Sequence, residues 1–438
     1  MLMKTVRKVL INRNFGLLLT GKLVSQLGDG IHYFAMAWLV LDITGSGTAL
    51  GTLIILATVP GLILTPFSGV LADILDRKTI VVAMDILRGF VQLSLGALWF
   101  AGLLNVPLLY VATVVLSVAG SLFGPAITAT LPGLVRQEEL TRANARDSFV
   151  QSSTGIGGPV VGALLLAATG YGGVFILNGI SFLVSALTEV FIRFPRMESK
   201  SQAISRAGFF DGLKGGFRFL WQTPALRIIM AGGILLNFMF NPIFAVVFPF
   251  LGKEVLGLAA QSYGVSQVFL PIGVLTGSVI VGWIASRIPR LRMMAGGVFI
   301  QGLILAGIGF VPLVAAHTAL LVPALLVSLA GPLLVLGAMT VMAAVPLNVM
   351  MQEMVPPELR GRVFSLFSGL MNLAVPLGLA AAGMMVDRVP IQTVFFASGG
   401  LVALTAVVVG SSPSLRAFCA GTLRPENQGT AEKLDPAV

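Results

Sequence analysis

The chain has 438 residues, of which 56% are hydrophobic and 11% charged, with a formal net charge of +10. Soluble domains carry about 25% charged residues, so composition excludes both a water-soluble enzyme and a disordered chain. A bilayer-spanning helix takes about 20 apolar residues, so the roughly 245 hydrophobic residues suffice for about a dozen.

In chain order, Lys4, Arg7, Lys8 and Arg13 precede a first apolar run. No small-residue cleavage site follows, so this run reads as an uncleaved first helix and not a signal peptide. Apolar runs bounded by charges or Gly/Pro clusters predict spans at 15–41, 48–72, 79–101, 107–134, 145–168 and 171–193. A second set follows at 225–251, 262–285, 293–314, 318–351, 361–386 and 391–412. These runs are too long and too uniformly apolar for barrel strands, which span about ten residues with alternating polarity. The expected fold is an all-α polytopic membrane protein of twelve transmembrane helices in two six-helix bundles. Residues 1–195 form the first bundle and 223–412 the second. Residues 196–222 are a cytoplasmic linker, whose mix of basic and aromatic residues predicts an amphipathic helix on the inner leaflet. Residues 413–438 are a cytoplasmic tail.

With the N-terminus inside, 24 of the 28 Lys and Arg residues fall on the cytoplasmic side, as the positive-inside rule demands. Only Lys253 and Arg388 fall in outer loops, and Lys22 and Arg88 lie within spans. Both termini are expected in the cytoplasm, and the basic balance reflects topology, not nucleic acid. One cysteine, Cys419, and two histidines, His32 and His317, leave no disulfide and no metal site to expect. No G-x-x-x-x-G-K-[ST] loop is present, so no ATPase and no cofactor are expected.

An ionised group near the bilayer centre costs at least ~2.5–3.5 kcal/mol and must face a cavity or a partner. Asp29 falls near the middle of the first span. Lys22, Gln26, Asp29 and His32 or Tyr33 recur at helical spacing and share a face. Asp29 is therefore either a proton-coupling residue, with His32 titrating beside it, or a structural partner of Lys22. Asp85 and Arg88 read as part of a cytoplasmic charge network, and Asp147, Glu189 and Glu353 as inner-end groups that snorkel or pair. The candidate cargo wall is Gln26, Tyr33, Asn237, Asn241, Phe244, Gln267 and Asn372. A few polar groups on an aromatic, apolar surface suit an amphipathic organic molecule, although such amides also serve as interhelical hydrogen bonds.

After the second span the chain reads Gly69-Val-Leu-Ala-Asp73-Ile-Leu-Asp-Arg77-Lys78. This resembles the signature loop of the major facilitator superfamily, with Ile74 and Asp76 as departures. There the glycine permits close packing, the aspartate faces the positive end of a neighbouring helix, and Arg77 finds a carboxylate, Asp85 or Asp147. With Arg88 these residues would form a conformational latch. A second copy, Gly282-Trp-Ile-Ala-Ser286-Arg-Ile-Pro-Arg290, lacks the aspartate. In span 5, Gly158-Pro159-Val-Val-Gly162 is similar to the antiporter motif of the drug-efflux branch, where small residues allow close approach and proline bends the helix. The arginine motif of that branch is missing, because residues 113–134 contain no Arg. Residues 131–146 and 351–366 are weakly similar to each other, and a six-plus-six repeat is the layout of many secondary transporters.

Phe123-Gly-Pro-Ala126, the stretch from Leu131 to Ala145, Gln26-Leu-Gly28-Asp29 and Val355-Pro-Pro-Glu-Leu359-Arg-Gly361-Arg362 together resemble the macrolide-efflux and enterobactin-exporter branch, over about residues 12–412. The resemblance implies the major facilitator fold in a bacterial cytoplasmic (inner) membrane. It also implies export of a hydrophobic or amphipathic small molecule (a drug, macrolide or siderophore-like compound) by proton antiport and alternating access. The expected partners are that small molecule, protons and membrane lipids, with no nucleic acid, and a monomer is expected. A lysophospholipid-translocating facilitator, a nutrient importer and a non-transporting receptor or assembly protein are the alternatives.

Overall fold

A computed structural model describes residues 11–192, 206–317 and 322–419. Lys4, Arg7, Lys8, the linker over 196–205 and the tail beyond Cys419 lie outside the described residues. The described residues are almost entirely helical and contain no strand. Ten of their helices are long and apolar enough to cross a membrane.

The first half runs through α1 (Arg13–Thr44), α2 (Gly47–Ile74), α3 (Arg77–Phe100), α4 (Val106–Leu134) and α5 (Leu140–Val190). Short polar caps set the joints. The side chain of Asn12 accepts from the Phe15 amide at 2.9 Å and donates to the Leu134 carbonyl at 2.6 Å. Gly45 ends α1 at φ 58°, and Ser46 caps α2 directly after it. Asp76 and Asn105 cap α3 and α4 in the same way. Each cap satisfies an amide that the first helical turn leaves open.

The 51 residues of α5 would measure about 76 Å if straight, more than twice the ~30 Å hydrocarbon core. The helix is broken at Gly170, whose backbone (φ 68°, ψ −179°) is not helical. Contacts on either side of Gly170 show the chain reversing. Asp147, Gly158 and Gly162 meet α1 at Lys22, Gly30 and Ile31 in rising order. Tyr171, Asn178 and Ser185 meet it at Asp42, Gly28 and Gly21 in falling order. The reversal falls between the two runs expected at 145–168 and 171–193. Only glycine adopts that backbone without strain.

The second half comprises α6 (Arg206–Gln222), α7 (Pro224–Pro242), α8 (Ala260–Gln267), α9 (Phe269–Ile284), α10 (Arg290–Ile308), α11 (Phe310–His317), α12 (Val322–Met354), α13 (Arg360–Arg388), α14 (Ile391–Ser411) and α15 (Pro413–Cys419). Beyond Pro242 the α7 helix passes through two π-helical segments, Ile243–Val247 and Leu251–Val255. α6 buries Leu220 in a core with Leu226, Met294, Met350 and Val363, while Phe217 and Trp221 stack on each other at its exposed surface.

The chain packs as two compact units. One holds residues 1–202 with 248–268, and the other 203–247 with 269–438. Polarity is inverted relative to a soluble protein. Lys22, Asp85, Arg88, Gln92 and Glu189 are buried, while Phe67, Phe100, Phe149 and Trp283 are exposed. A lipid-facing surface is apolar, and charges are held inside.

Candidate functional site

In the first unit, α1, α3 and the returning limb of α5 enclose a polar seam. Arg88 of α3 is buried, clamped between the rings of Phe123 (4.2 Å) and Phe182 (4.6 Å). Both contacts are cation–π contacts. Its Nη2 donates to the carboxylate of Asp85, which is fully buried. Its Nη1 lies 3.6 Å from Oδ2 of Asp29, whose side chain keeps 45% of its surface open. Ser185 stands beside both Asp85 and Glu189, 3.5 Å from Oε1 of the latter. His32 is buried with its Nδ1 2.8 Å from Gln92 and its ring beside Phe175.

Three placements revise the sequence reading. Lys22 is bonded to Asp147 of α5, not to Asp29 on its own helix. Glu189, expected to snorkel at an inner end, is sealed in the interior. Arg88, expected with Asp85 in a cytoplasmic charge network, is paired with Asp85 but enclosed. Sequence spacing could not reveal this, because it does not report that the limb carrying Glu189 and Phe182 packs against α3.

The antiporter-like motif brings two helix backbones into close approach. A Cβ on Gly158 would sit 2.7 Å from Cα of Gly30, and one on Gly162 would sit 3.0 Å from Cα of Ile31. Thr154, one turn before Gly158, points its hydroxyl toward Gln26 at 3.4 Å. Tyr33 is half exposed. At the far end of α1, Asp42 accepts from Tyr171 and from Lys253. Lys253 also donates to the Trp38 carbonyl at 3.0 Å.

The second unit contains a cavity of about 430 Å³. Its wall is mostly apolar, with Asn237, Gln301, Thr340 and Thr405 as its polar groups and Phe240 and Phe244 stacked at 6.4 Å. Gln301 is buried and donates to Thr340 Oγ1 at 2.8 Å. Asn237 donates to the Gly233 carbonyl and accepts from Asn241, each at 3.1 Å. Of the expected cargo wall, Asn237 and Phe244 line this cavity. Asn241 and Asn372 are exposed, and Gln267 belongs to the first unit. Gln301 and Thr340 were missed. Each is a polar residue in an apolar run, the same signal that selected Gln267 and Asn372.

For the latch, Gly69 and Asp73 fall in α2, but their side chains lie outside the description. Asp85 is bonded to Arg88 and Asp147 to Lys22. The second copy of the loop does make a bridge. Arg290 lies 2.5 Å from Glu353 of α12.

A family of proteins described as transmembrane secretion effectors matches residues 8–438. The chain belongs to this family of major facilitator superfamily transporters. Macrolide efflux protein A of Streptococcus pyogenes is 26% identical over 388 residues, covering 89% of this chain and 93% of that protein. Multidrug efflux pump Tap of Mycolicibacterium fortuitum is 28% identical over 410 residues, covering 91% and 96%. In structure the chain is similar to a bacterial homologue of the iron transporter ferroportin, solved in an inward-facing state. The TM-score is 0.71 at 17% identity, covering 91% of this chain and 99% of that one. The nucleoside transporter NupG gives 0.68 at 14% identity, covering 90% and 98%. These relatives and neighbours are transporters, not enzymes, and the likeness to the solved structures establishes the major facilitator fold.

Proposed function

We propose that the chain exports a hydrophobic or amphipathic small molecule of the drug or macrolide class from a bacterial cytoplasm, by proton antiport and alternating access. The observation that carries the cargo class is the 430 Å³ cavity of the second unit, apolar and aromatic with a few amides and hydroxyls. Its size falls within the ~300–1,000 Å³ of ligand pockets, and such a wall orients a mainly apolar ligand through a few polar groups. The two efflux relatives support the direction of transport.

The membrane layout is twelve spans in two bundles, residues 1–195 and 223–412. The linker is 196–222, the tail is 413–438, and both termini are cytoplasmic in an inner membrane. The ten membrane-length helices, α1 and the second limb of α5 supply these twelve. Asp29 is the group through which protons enter, because its side chain is part open and adjoins the buried Arg88. Gln26 and Tyr33 flank it on the same helix. The latch at Gly69, Asp73 and Arg77 biases the equilibrium between the two access states.

The test is transport of a labelled macrolide by full-length protein in proteoliposomes. An imposed pH gradient should drive cargo against its own gradient, and Asp29→Asn should abolish this while leaving the protein folded. Cargo movement that ignores the pH gradient in the wild type would overturn proton antiport. Full gradient-driven activity of the Asp29 variant would remove that residue from the coupling.

A further inference from the structure

We infer that Asp85 and Glu189, with Ser185 beside both, share one proton inside the first unit and form the sealed end of a proton site whose open end is Asp29. The inference rests on the proton-coupled reading and adds residues to it.

Among the described residues, the charged and titratable groups facing this seam are few. α1 contributes Lys22, Asp29, His32 and Tyr33. α3 contributes Asp85 and Arg88, and α5 contributes Asp147 and Glu189. α4 contributes only the Phe123 ring. Lys22 is committed to Asp147, and His32 to Gln92. Three carboxylates therefore stand against one guanidinium. Arg88 is bonded to Asp85 and close to Asp29, and Glu189 has only the long contact to Ser185. Oδ2 of Asp85, Oε2 of Glu189 and Nε of Arg88 are all buried without a hydrogen-bond partner. A fully ionised set would leave two uncompensated negative charges in the interior, and buried charge is tolerated only when paired or neutralised. A protonated carboxyl supplies the O–H donor that the spare acceptors lack.

A second observation lies on α1. The hydroxyl of Ser25 is buried and unpartnered. It sits between Gly21, packed on Ser185, and Gly28, packed on Asn178 and Ser181. The amide nitrogen of Asn178 is likewise buried and unpartnered. The face of α1 that carries Asp29 at one edge thus presents spare hydrogen-bonding capacity toward the seam.

Arg88 ties the two ends together, because one guanidinium serves two carboxylates. While Asp29 is ionised it draws Arg88, and Asp85 with Glu189 retains the proton. When the proton passes to an oxygen of Asp29, Arg88 returns wholly to Asp85, and the Asp85–Glu189 pair is left ionised. The proton leaves a carboxyl oxygen at one end and arrives at a carboxylate oxygen at the other, so the total charge is conserved.

Full-length protein in nanodiscs, studied by infrared difference spectroscopy between acid and alkaline buffer, tests the site without cargo. The wild type should show the carbonyl band of a protonated carboxyl at neutral pH, shifted in heavy water. Glu189→Gln should lose it, Ser185→Ala should move its frequency, and Glu353→Gln, a half-exposed carboxylate of the second unit, should leave it in place. A band unchanged in both Glu189→Gln and Ser185→Ala overturns the inference, and Ser185→Ala keeps the test open if the glutamine variant does not fold. In proteoliposomes, Glu189→Gln should lose macrolide movement driven by a pH gradient and retain macrolide exchange without one. Gradient-driven movement at the wild-type level in that variant overturns the inference. A wild type indifferent to the gradient overturns proton antiport instead, and the infrared band then decides the proton site alone.

Discussion

Replacing Gly158 with alanine puts one methyl group into the closest backbone-to-backbone contact between α1 and α5. Its carbon would lie 2.7 Å from Cα of Gly30 and 3.2 Å from the Gly30 carbonyl carbon. Carbon–carbon contacts are comfortable at about 3.5–4.0 Å, so the two helices must part by roughly 1 Å. Overpacking of this kind costs ~1–3 kcal/mol, and alanine returns up to about 1 kcal/mol through its helix propensity. The net loss should be about 1–2 kcal/mol. Gly155→Ala is the control. It lies on the same limb, and its new carbon would meet nothing within 4 Å, so it should be neutral or slightly stabilising. Denaturation of the purified variants in one detergent measures the difference. Gly30→Ala should cost about as much as Gly158→Ala. The double variant should cost less than the sum, because one separation accommodates both methyls. A Gly158→Ala protein as stable as Gly155→Ala would refute the claim that this motif works by close approach.

Four further outcomes follow from the geometry. Gln301→Leu should weaken binding of a macrolide by about 1 kcal/mol, the usual net value of one hydrogen bond. Unchanged binding in a direct assay would move the cargo out of that cavity. Arg88→Met should cost about 3–5 kcal/mol of stability because it strands the buried Asp85 carboxylate. Asp85→Asn on that background should recover part of the loss in the same denaturation assay. Glu353→Gln removes a half-exposed bridge to Arg290. It should change stability by no more than ~1 kcal/mol, with the difference shrinking as salt is added. Asp76→Ala removes the cap of α3 and should cost about 1 kcal/mol. The Thr79 hydroxyl holds the Asp76 carboxyl below its ordinary range. Its contribution should be complete above the ordinary carboxylate value and fade as pH falls through the lowered one, so wild type and variant converge in acid.

The spans were legible in the sequence because burial in lipid leaves long apolar runs and sharply placed charges. The caps that set the joints, Ser46, Asp76 and Asn105, were not read from the sequence, because each is a short polar residue like many others between apolar runs. Asp29, Asp85 and Arg88 announced themselves as charges within apolar segments. Their partners did not, because helical spacing reports neighbours on one helix, and the seam is built by three. Lys22 shares a face with Asp29, yet the Asp147 carboxylate on another helix reaches it first. Glu189 lies near the end of its run and read as an inner-end group, because nothing in the run shows that this limb packs against α3. The amides of the cavity posed a harder problem. Asn237, Gln267, Gln301 and Asn372 carry the same signal, and only packing separates the two that line the cavity from the two that do not.

The single-residue reversal at Gly170 also differs from its neighbours. Other joints of the first half are short loops with a capping side chain, Ser46, Asp76 or Asn105. The two limbs of α5 have no such loop, and their junction is one glycine flanked by helical residues. The first limb has no separate stopping place, and its small-residue face is completed by α1, which also packs on the second limb. The two limbs thus form a helical hairpin held along one side by α1. A residue other than glycine at its tip would strain the backbone (φ 68°) at the one point where the two limbs are joined.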